Sequence, residues 1–240
     1  EPQIAVADYT RGLAVTSTNL TDQELVLTID QAKSFSFKID DLEKRFSHVN
    51  FQAVAADNAA YALRDAMDSN ILAAISAGAT VTTGMGTTSA PIDIGFGTGE
   101  VDPLNQMSLA AKELDEANAP EDGRWFVAAP EWYNQLSNSA SKLLSVDFNA
   151  GQGSIRNGLV SSGKLRGFDM YKSNNIAATS TATGKVMAGH MSSTATANTI
   201  LSTEVLRDPT SFGDIVRGLH VYGAKVLRDD ALCSAFYAID

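Results

Sequence analysis

Cysteine occurs once among the 240 residues, at Cys233. That excludes an internal disulfide framework and a cysteine-based zinc site. The setting of the residue, Ala231-Leu-Cys-Ser-Ala-Phe236, is that of a small buried hydrophobe. Histidine is almost as scarce. His48, His190 and His220 stand far apart, without the close spacing of a local metal site, and each reads as an ordinary surface or core histidine. No run of about 18 apolar residues exists to span a bilayer, so no membrane contact is expected. A secretory signal pattern is lacking too. The chain opens at Glu1, not Met, so an N-terminal piece is expected to have been removed or left out. Lysine is missing from residues 1–32, the first being Lys33.

What is present is a core. A hydrophobic content of 44% excludes disorder and suffices for one large domain or two smaller ones. The net charge of −10 is unevenly placed: residues 1–123 sum to −12 and residues 124–240 to +2. An acidic front half argues against nucleic acid as a tightly held partner, because phosphate binding needs clustered Lys and Arg. The asymmetry suits head-to-tail packing of copies, and equally an ordinary solvated acidic surface.

Periodicity divides the chain. Leu25, Leu27, Ile29, Phe35, Phe37 and Ile39 alternate with polar residues, the period-two pattern of a strand with one buried face. With Ile4–Val15 also favouring extended structure and Asn19-Leu-Thr-Asp22 supplying a turn, residues 1–39 read as a long β-hairpin too poor in apolar residues to fold alone. Ala56, Ala60, Leu63, Met67, Ile71 and Ala74 then recur at helical spacing, giving a long helix over 50–77 stopped at Gly78. The Gly/Thr/Ser stretch 80–99 reads as a mobile loop and domain junction. Asp102-Pro103 opens a second helix to about Asn118. Arg124–Ala129 reads as a buried strand and Pro130–Leu136 as a short helix. Short strands are expected from Gly151 to about Thr203, a long strand over 215–227, and another over 231–239. The class is α+β, with the first and last parts sharing one core.

Motifs of chemistry fail on their contexts. Gly158-Leu-Val-Ser-Ser-Gly163-Lys164 fits a phosphate-loop frame, but Leu165 stands where Ser or Thr would hold magnesium, and a strand follows where a helix is required. Ser139-Ala-Ser-Lys142 fits the frame of serine acyl-transferring enzymes without its partner strings. Glu113, Asp115, Glu116, Glu121 and Asp122 cluster at a helix end and turn, where a solvated acidic face is expected. Trp125, Trp132 and Tyr133 are explained by core packing. No catalytic, cofactor-binding or metal residue is assigned.

Four strings carry a resemblance. They are Leu25-Val-Leu-Thr-Ile29-Asp30-Gln31; Gly167-Phe-Asp-Met-Tyr171-Lys-Ser173-Asn-Asn175; Tyr222-Gly223-Ala-Lys225-Val; and Arg228-Asp-Asp-Ala-Leu232. With the helix over 50–77 and the segment Val101-Asp-Pro103 to Pro130, their order resembles the major capsid proteins of tailed bacteriophages, with the Hong Kong 97-type capsid fold. The resemblance implies an extended loop over 1–39, a peripheral domain over 40–101 with its spine helix, an axial domain over 102–203, and peripheral return strands over 204–240. It implies a subunit of hexamers and pentamers closing an icosahedral shell around double-stranded DNA in the phage head, assembled in the bacterial cytoplasm. A separate scaffold protein and a portal would be its partners, and DNA would be touched weakly, without sequence specificity. Some family members join subunits by a lysine–asparagine bond from the extended loop; a loop without lysine predicts a noncovalent shell. Tyr9, Arg11, Leu13 and Leu20 on the hairpin, and Glu113, Asp115, Glu116, Glu121 and Asp122, are the expected intersubunit contacts. Three alternatives stay open: an encapsulin-like bacterial compartment, a surface adhesin built on the Ser/Thr-rich strands, and a hydrolase using Ser139 or the acidic cluster.

Overall fold

The structure is a computed structural model that describes residues 8, 11–12, 24–46, 51–81, 84–138, 164–176 and 183–239. Two sheets organise them. In the smaller, β1 (Gln31–Asp40) and β8 (Thr194–Arg207) flank β9 (Gly213–Val226), all antiparallel. Phe35, Phe37 and Ile39 sit on the more buried face of β1, as their alternation requires, while Ser34, Ser36 and Lys38 face water. The helix α2 (Phe51–Gly78), about 42 Å long at 1.5 Å per residue, packs across β9 and β1. A short helix α1 (Asp41–Phe46) joins β1 to it.

The larger sheet runs β2 (Thr80–Val81), β10 (Leu232–Ala238), β7 (Thr183–His190), β4 (Arg124–Ala128), β6 (Phe168–Lys172), β5 (Lys164–Leu165), with β3 (Ile92–Asp93) also on β10. Its two faces separate by alternation. Phe126, Ala128, Val186, Ala188, Cys233, Ala235 and Tyr237 pack under α3 (Pro103–Glu116) and α4 (Pro130–Leu136), with Met107, Leu114 and Trp132. Val127, Met187 and Leu232 point the other way, onto Ile71, Leu72 and Ile75 of α2. Cover on both faces is why Arg124–Ala129 reads as an unbroken apolar run. Asp102 caps α3 by accepting from the Leu104 N–H at 2.8 Å, with Pro103 in the first turn. Trp132, fully buried, donates its indole N–H to Gln106 at 2.9 Å. The aromatic group thus packs as core, Tyr133 lying edge-on to Trp132.

Several expectations are corrected. Leu25–Asp30 is not a strand arm, and Leu25 and Ile29 are exposed, because the segment crosses the sheet instead of lying along it. Among the described residues β1 pairs with β9; the first arm of the expected hairpin lies outside them, since of residues 1–23 only Asp8, Arg11 and Gly12 are described. The stretch 80–99 is more than a loop: β2 and β3 pair with β10, and Met85 and Ile94 are core residues. Short strands are present as β5 and β6, but the stretch ends in the 14-residue β8, which runs on past Thr203. Nor do the strands of 204–240 stay together. β9 lies in the smaller sheet with β8, whereas β10, apolar on both faces, takes a central place in the larger. The frames at Ser139–Lys142 and Gly158–Gly163 fall outside the described residues. Lys164 and Leu165 form the first strand of a β5–β6 hairpin, whose turn has positive φ at Arg166 (49°) and Gly167 (84°), as a two-residue hairpin turn demands.

Candidate assembly surfaces

Among the described residues, three surfaces carry candidate contacts with a neighbour. The first is the strap Glu24–Asp30, which reaches β1 by crossing β9. A Cβ on Gly223 would collide with the carbonyl oxygen of Thr28 and stand 3.0 Å from the Ile29 Cα, so only glycine permits the crossing. Two residues on, the Lys225 ammonium donates to the Val26 carbonyl at 2.7 Å. Tyr222, 1% exposed, anchors the same stretch of β9 on α2, its hydroxyl meeting the Asn70 amide and the Ala66 carbonyl. Leu25, Val26 and Ile29 are left 55%, 59% and 42% exposed.

The second surface is the opposite end of the β1–β9 ladder, where α1 meets the turn Asp208–Phe212. Arg207 pairs with Asp41 and, at 3.1 Å, with Asp214; Lys44 also reaches Asp214, and Lys38 meets Asp208 at 2.5 Å. Contact with Lys38, then the Thr210 hydroxyl and N–H and the Ser211 hydroxyl, holds the Asp208 carboxyl far below the ordinary carboxylate range. The Arg207 guanidinium lowers Asp41, and Lys44 followed by Arg207 lowers Asp214. Around this charged knot Leu42, Phe46 and Phe212 stand exposed, the two phenylalanines at 80%.

The third is the acidic end of α3. Glu113 is half-buried, while Asp115, Glu116, Glu121 and Asp122 are exposed along the last turn and the bend before β4. Two of these carboxylates have partners within the subunit. Asp115 pairs with Arg124 at 2.7 Å, and Glu116 with Lys112 at 3.3 Å, one helical turn away. Arg124 is buried and also donates to the Ala119 carbonyl at 2.6 Å and the Pro120 carbonyl at 2.8 Å. His190 adds a contact at 2.8 Å to the Asp122 carbonyl. The expected hairpin contacts Tyr9, Leu13 and Leu20 lie outside the described residues; Arg11 is exposed.

Among the described residues no cluster of His, Cys, Asp and Glu could hold a metal, and no helix is long and apolar enough to cross a membrane. Burial pushes the Cys233 thiol up to about 12, away from the reactive thiolate. The glycines of 95–99 fold around the chain's own Glu100, whose carboxylate accepts the Gly97 N–H at 2.6 Å. Sequence reasoning missed Lys225, Arg124, Phe46 and Phe212. The string Tyr222-Gly-Ala-Lys225 was visible, yet its three contacts need the fold to be seen.

The architecture, a long helix lying across two sheets with a strap and a tip at the ends of one ladder, is that of a shell-forming capsid subunit. Residues 23–235 match the model of a family described as phage capsid protein. The chain is 31% identical to a solved chain from Mycobacterium phage Che8, with a TM-score of 0.78 over 92% of this chain and 76% of that one. The capsid structure of cyanophage P-SCSP1u is 21% identical with a TM-score of 0.74, covering 100% and 82%. A virus-like particle from Pyrococcus furiosus shares the fold more distantly, at 14% identity and a TM-score of 0.56 over 90% and 79%. No curated protein matches the chain. The chain belongs to the phage capsid protein family, as a major capsid protein of a tailed phage with the Hong Kong 97-type fold. The encapsulin-like and adhesin readings give way to that assignment.

Proposed function

We propose that the chain tiles the icosahedral head as hexamers and pentamers around double-stranded DNA, held without covalent links between subunits. The observation that carries this is the placement of uncovered apolar groups at both ends of one ladder. Leu25, Val26 and Ile29 lie at the Gln31↔Tyr222 end, and Leu42, Phe46 and Phe212 at the Asp40↔Gly213 end. Ten strand residues separate the ends by about 33 Å. Two different apolar patches on one rigid body favour head-to-tail contacts, which close into rings and shells when the rotation between copies allows. In this reading the segment before the strap, residues 1–23, overlies the neighbouring subunit, with Tyr9, Arg11, Leu13 and Leu20 in contact. The small sheet with α2 forms the peripheral part, and the large sheet with α3 and α4 meets its copies at the capsomer centre. The exposed Glu121 and Asp122 and the half-buried Glu113 face neighbours there; Asp115 and Glu116 do so while keeping their internal pairs. The work is geometric, with no catalytic step. A separate scaffold, a portal and assembly in the host cytoplasm complete the reading.

Electron microscopy of the purified full chain tests it: closed particles tens of nanometres wide are expected, and a stable small oligomer under all conditions would overturn it. Mature particles boiled in denaturant should run as single subunits, since residues 1–32 hold no lysine. A covalent ladder would refute the noncovalent shell. Arg11→Glu should lower particle yield more than stability, and a normal yield would remove Arg11 from the interface.

A further inference from the structure

We infer that Gly223 and Lys225 are positioning residues for assembly: they fix the direction in which residues 1–23 leave the subunit. The inference rests on the reading that this segment overlies a neighbour. Between Glu24 and Asp30 the strap is exposed except for half-buried Leu27, so little apolar burial holds it in place. What fixes it instead is backbone contact with β9 at two points. At the first, Thr28 and Ile29 pass over the bare Cα of Gly223, with the Thr28 carbonyl carbon 3.1 Å from where a Cβ would be. At the second, the Lys225 ammonium holds the Val26 carbonyl at 2.7 Å. Gly223 and Lys225 are two apart on one strand and so project on the same face. They mark a line along β9, and the strap crosses that line before Gln31 enters register opposite Tyr222. Tyr222 projects to the other face and seats β9 on Ala66 and Asn70 of α2, so the line is rigid with respect to the long helix. A small rotation of the strap there would be magnified along any segment continuing to residue 1.

Neither residue is needed for the ladder itself. A methyl group at Gly223 has nowhere to go but into the strap, because the obstructing atoms are strap backbone. Shortening the reach of Lys225 releases one carbonyl to water. Both changes therefore act on direction and leave the core alone.

The test compares Gly223→Ala, Lys225→Met and Lys225→Arg in the full chain, each also carrying Ser17→Cys as a reporter. Expected for Gly223→Ala and Lys225→Met is unchanged hydrogen-exchange protection of β9 and β10. Yield of regular particles should fall at least about tenfold, the effect of roughly 1.4 kcal/mol in one contact, with irregular sheets or tubes replacing them. Lys225→Arg should restore closure. Wild-type yield and diameter for both disruptive variants would overturn the inference. Should Gly223→Ala fail to fold, Lys225→Met decides alone. Ser17→Cys separates the two claims. Protection of its thiol on assembly supports the overlying segment, whereas full reactivity in intact particles removes that reading and the inference with it.

Discussion

Replacing Arg124 by Met separates two explanations for a buried arginine at the edge of an acidic cluster. The guanidinium gives two hydrogen bonds to main-chain carbonyls, of Ala119 at 2.6 Å and Pro120 at 2.8 Å, and one ion pair to Asp115 at 2.7 Å. Its side chain is 5% exposed, whereas that of Asp115 is 61% exposed. Hydrogen bonds from a charged donor contribute about 1.5–3 kcal/mol each. An ion pair with so exposed a partner contributes under about 1 kcal/mol. Met keeps most of the apolar stem, so Arg124→Met should cost about 3–5 kcal/mol, nearly all from the two carbonyls. For a domain of this size that lowers the melting temperature by about 2–4 °C per kcal/mol. Asp115→Asn should cost under about 1 kcal/mol. Urea unfolding of the unassembled protein measures both, and the double variant gives their coupling. If Asp115→Asn were as costly as Arg124→Met, the ion pair would be the working contact and the carbonyl argument would be wrong.

Two further outcomes follow from the electrostatics. Cys233 is 3% exposed with its thiol pushed up to about 12, so a thiol reagent should titrate no group in the native protein and one after denaturation; a fast native reaction would show that β10 opens. At the tip, Asp41, Asp208 and Asp214 are held below the ordinary value of 3.8, so their stabilisation is fully present above that value and is lost as pH falls through the lowered ones. The Thr210 amide, which donates to Asp208 at 2.8 Å, should thus keep its hydrogen-exchange protection from pH 7 to 5 and lose it only in stronger acid; loss near pH 6 would contradict the assignment.

How far the sequence could be read depended on whether a residue's partner was local. The helix over 50–77 and the Asp102-Pro103 start emerge within a residue or two of α2 and α3, because periodicity and caps are written in neighbouring residues. The same holds for β4, α4, β9 and β10. The placement of β10 was not legible, since an apolar strand says that both faces are covered and not by what. Nor was the exposure of Leu25 and Ile29, whose alternation in sequence matches that of a buried strand. Their crossing is set by Gly223 and Lys225, nearly 200 residues later in the chain. Arg124 read as the first residue of an apolar strand, and only the fold returns its side chain to the end of α3. Among the proposed contacts, the acidic five lie together at the end of α3 and the bend after it, four exposed and Glu113 half-buried. That Asp115 and Glu116 already have partners could not be seen.

The joint between the two sheets bears on where a shell of identical subunits could vary. The chain passes from the larger sheet to the smaller at Met191–Ser193 and back at Leu227–Ala231. These passages are stitched together: Leu227 and Arg228 donate to the Ser193 carbonyl at 2.8 and 3.2 Å, and His190 donates to Ala231 at 3.1 Å. Ser193 itself is fully buried, its hydroxyl bonded to the His190 carbonyl at 2.6 Å. α2 spans the joint. It meets the smaller sheet at Tyr222 and the larger through Ile71 and Ile75, and Val226 lies where a Cβ on Gly78 would be. Asn175, beyond β6, ties in through Asp65 at 2.6 Å. A hinge needs few contacts across it, and this joint is crossed by hydrogen bonds, a helix and core packing together. On the proposed shell reading, fivefold and sixfold environments would therefore be met by repacking at the tip, with the two-sheet body and the strap fixed on β9 carried as one piece.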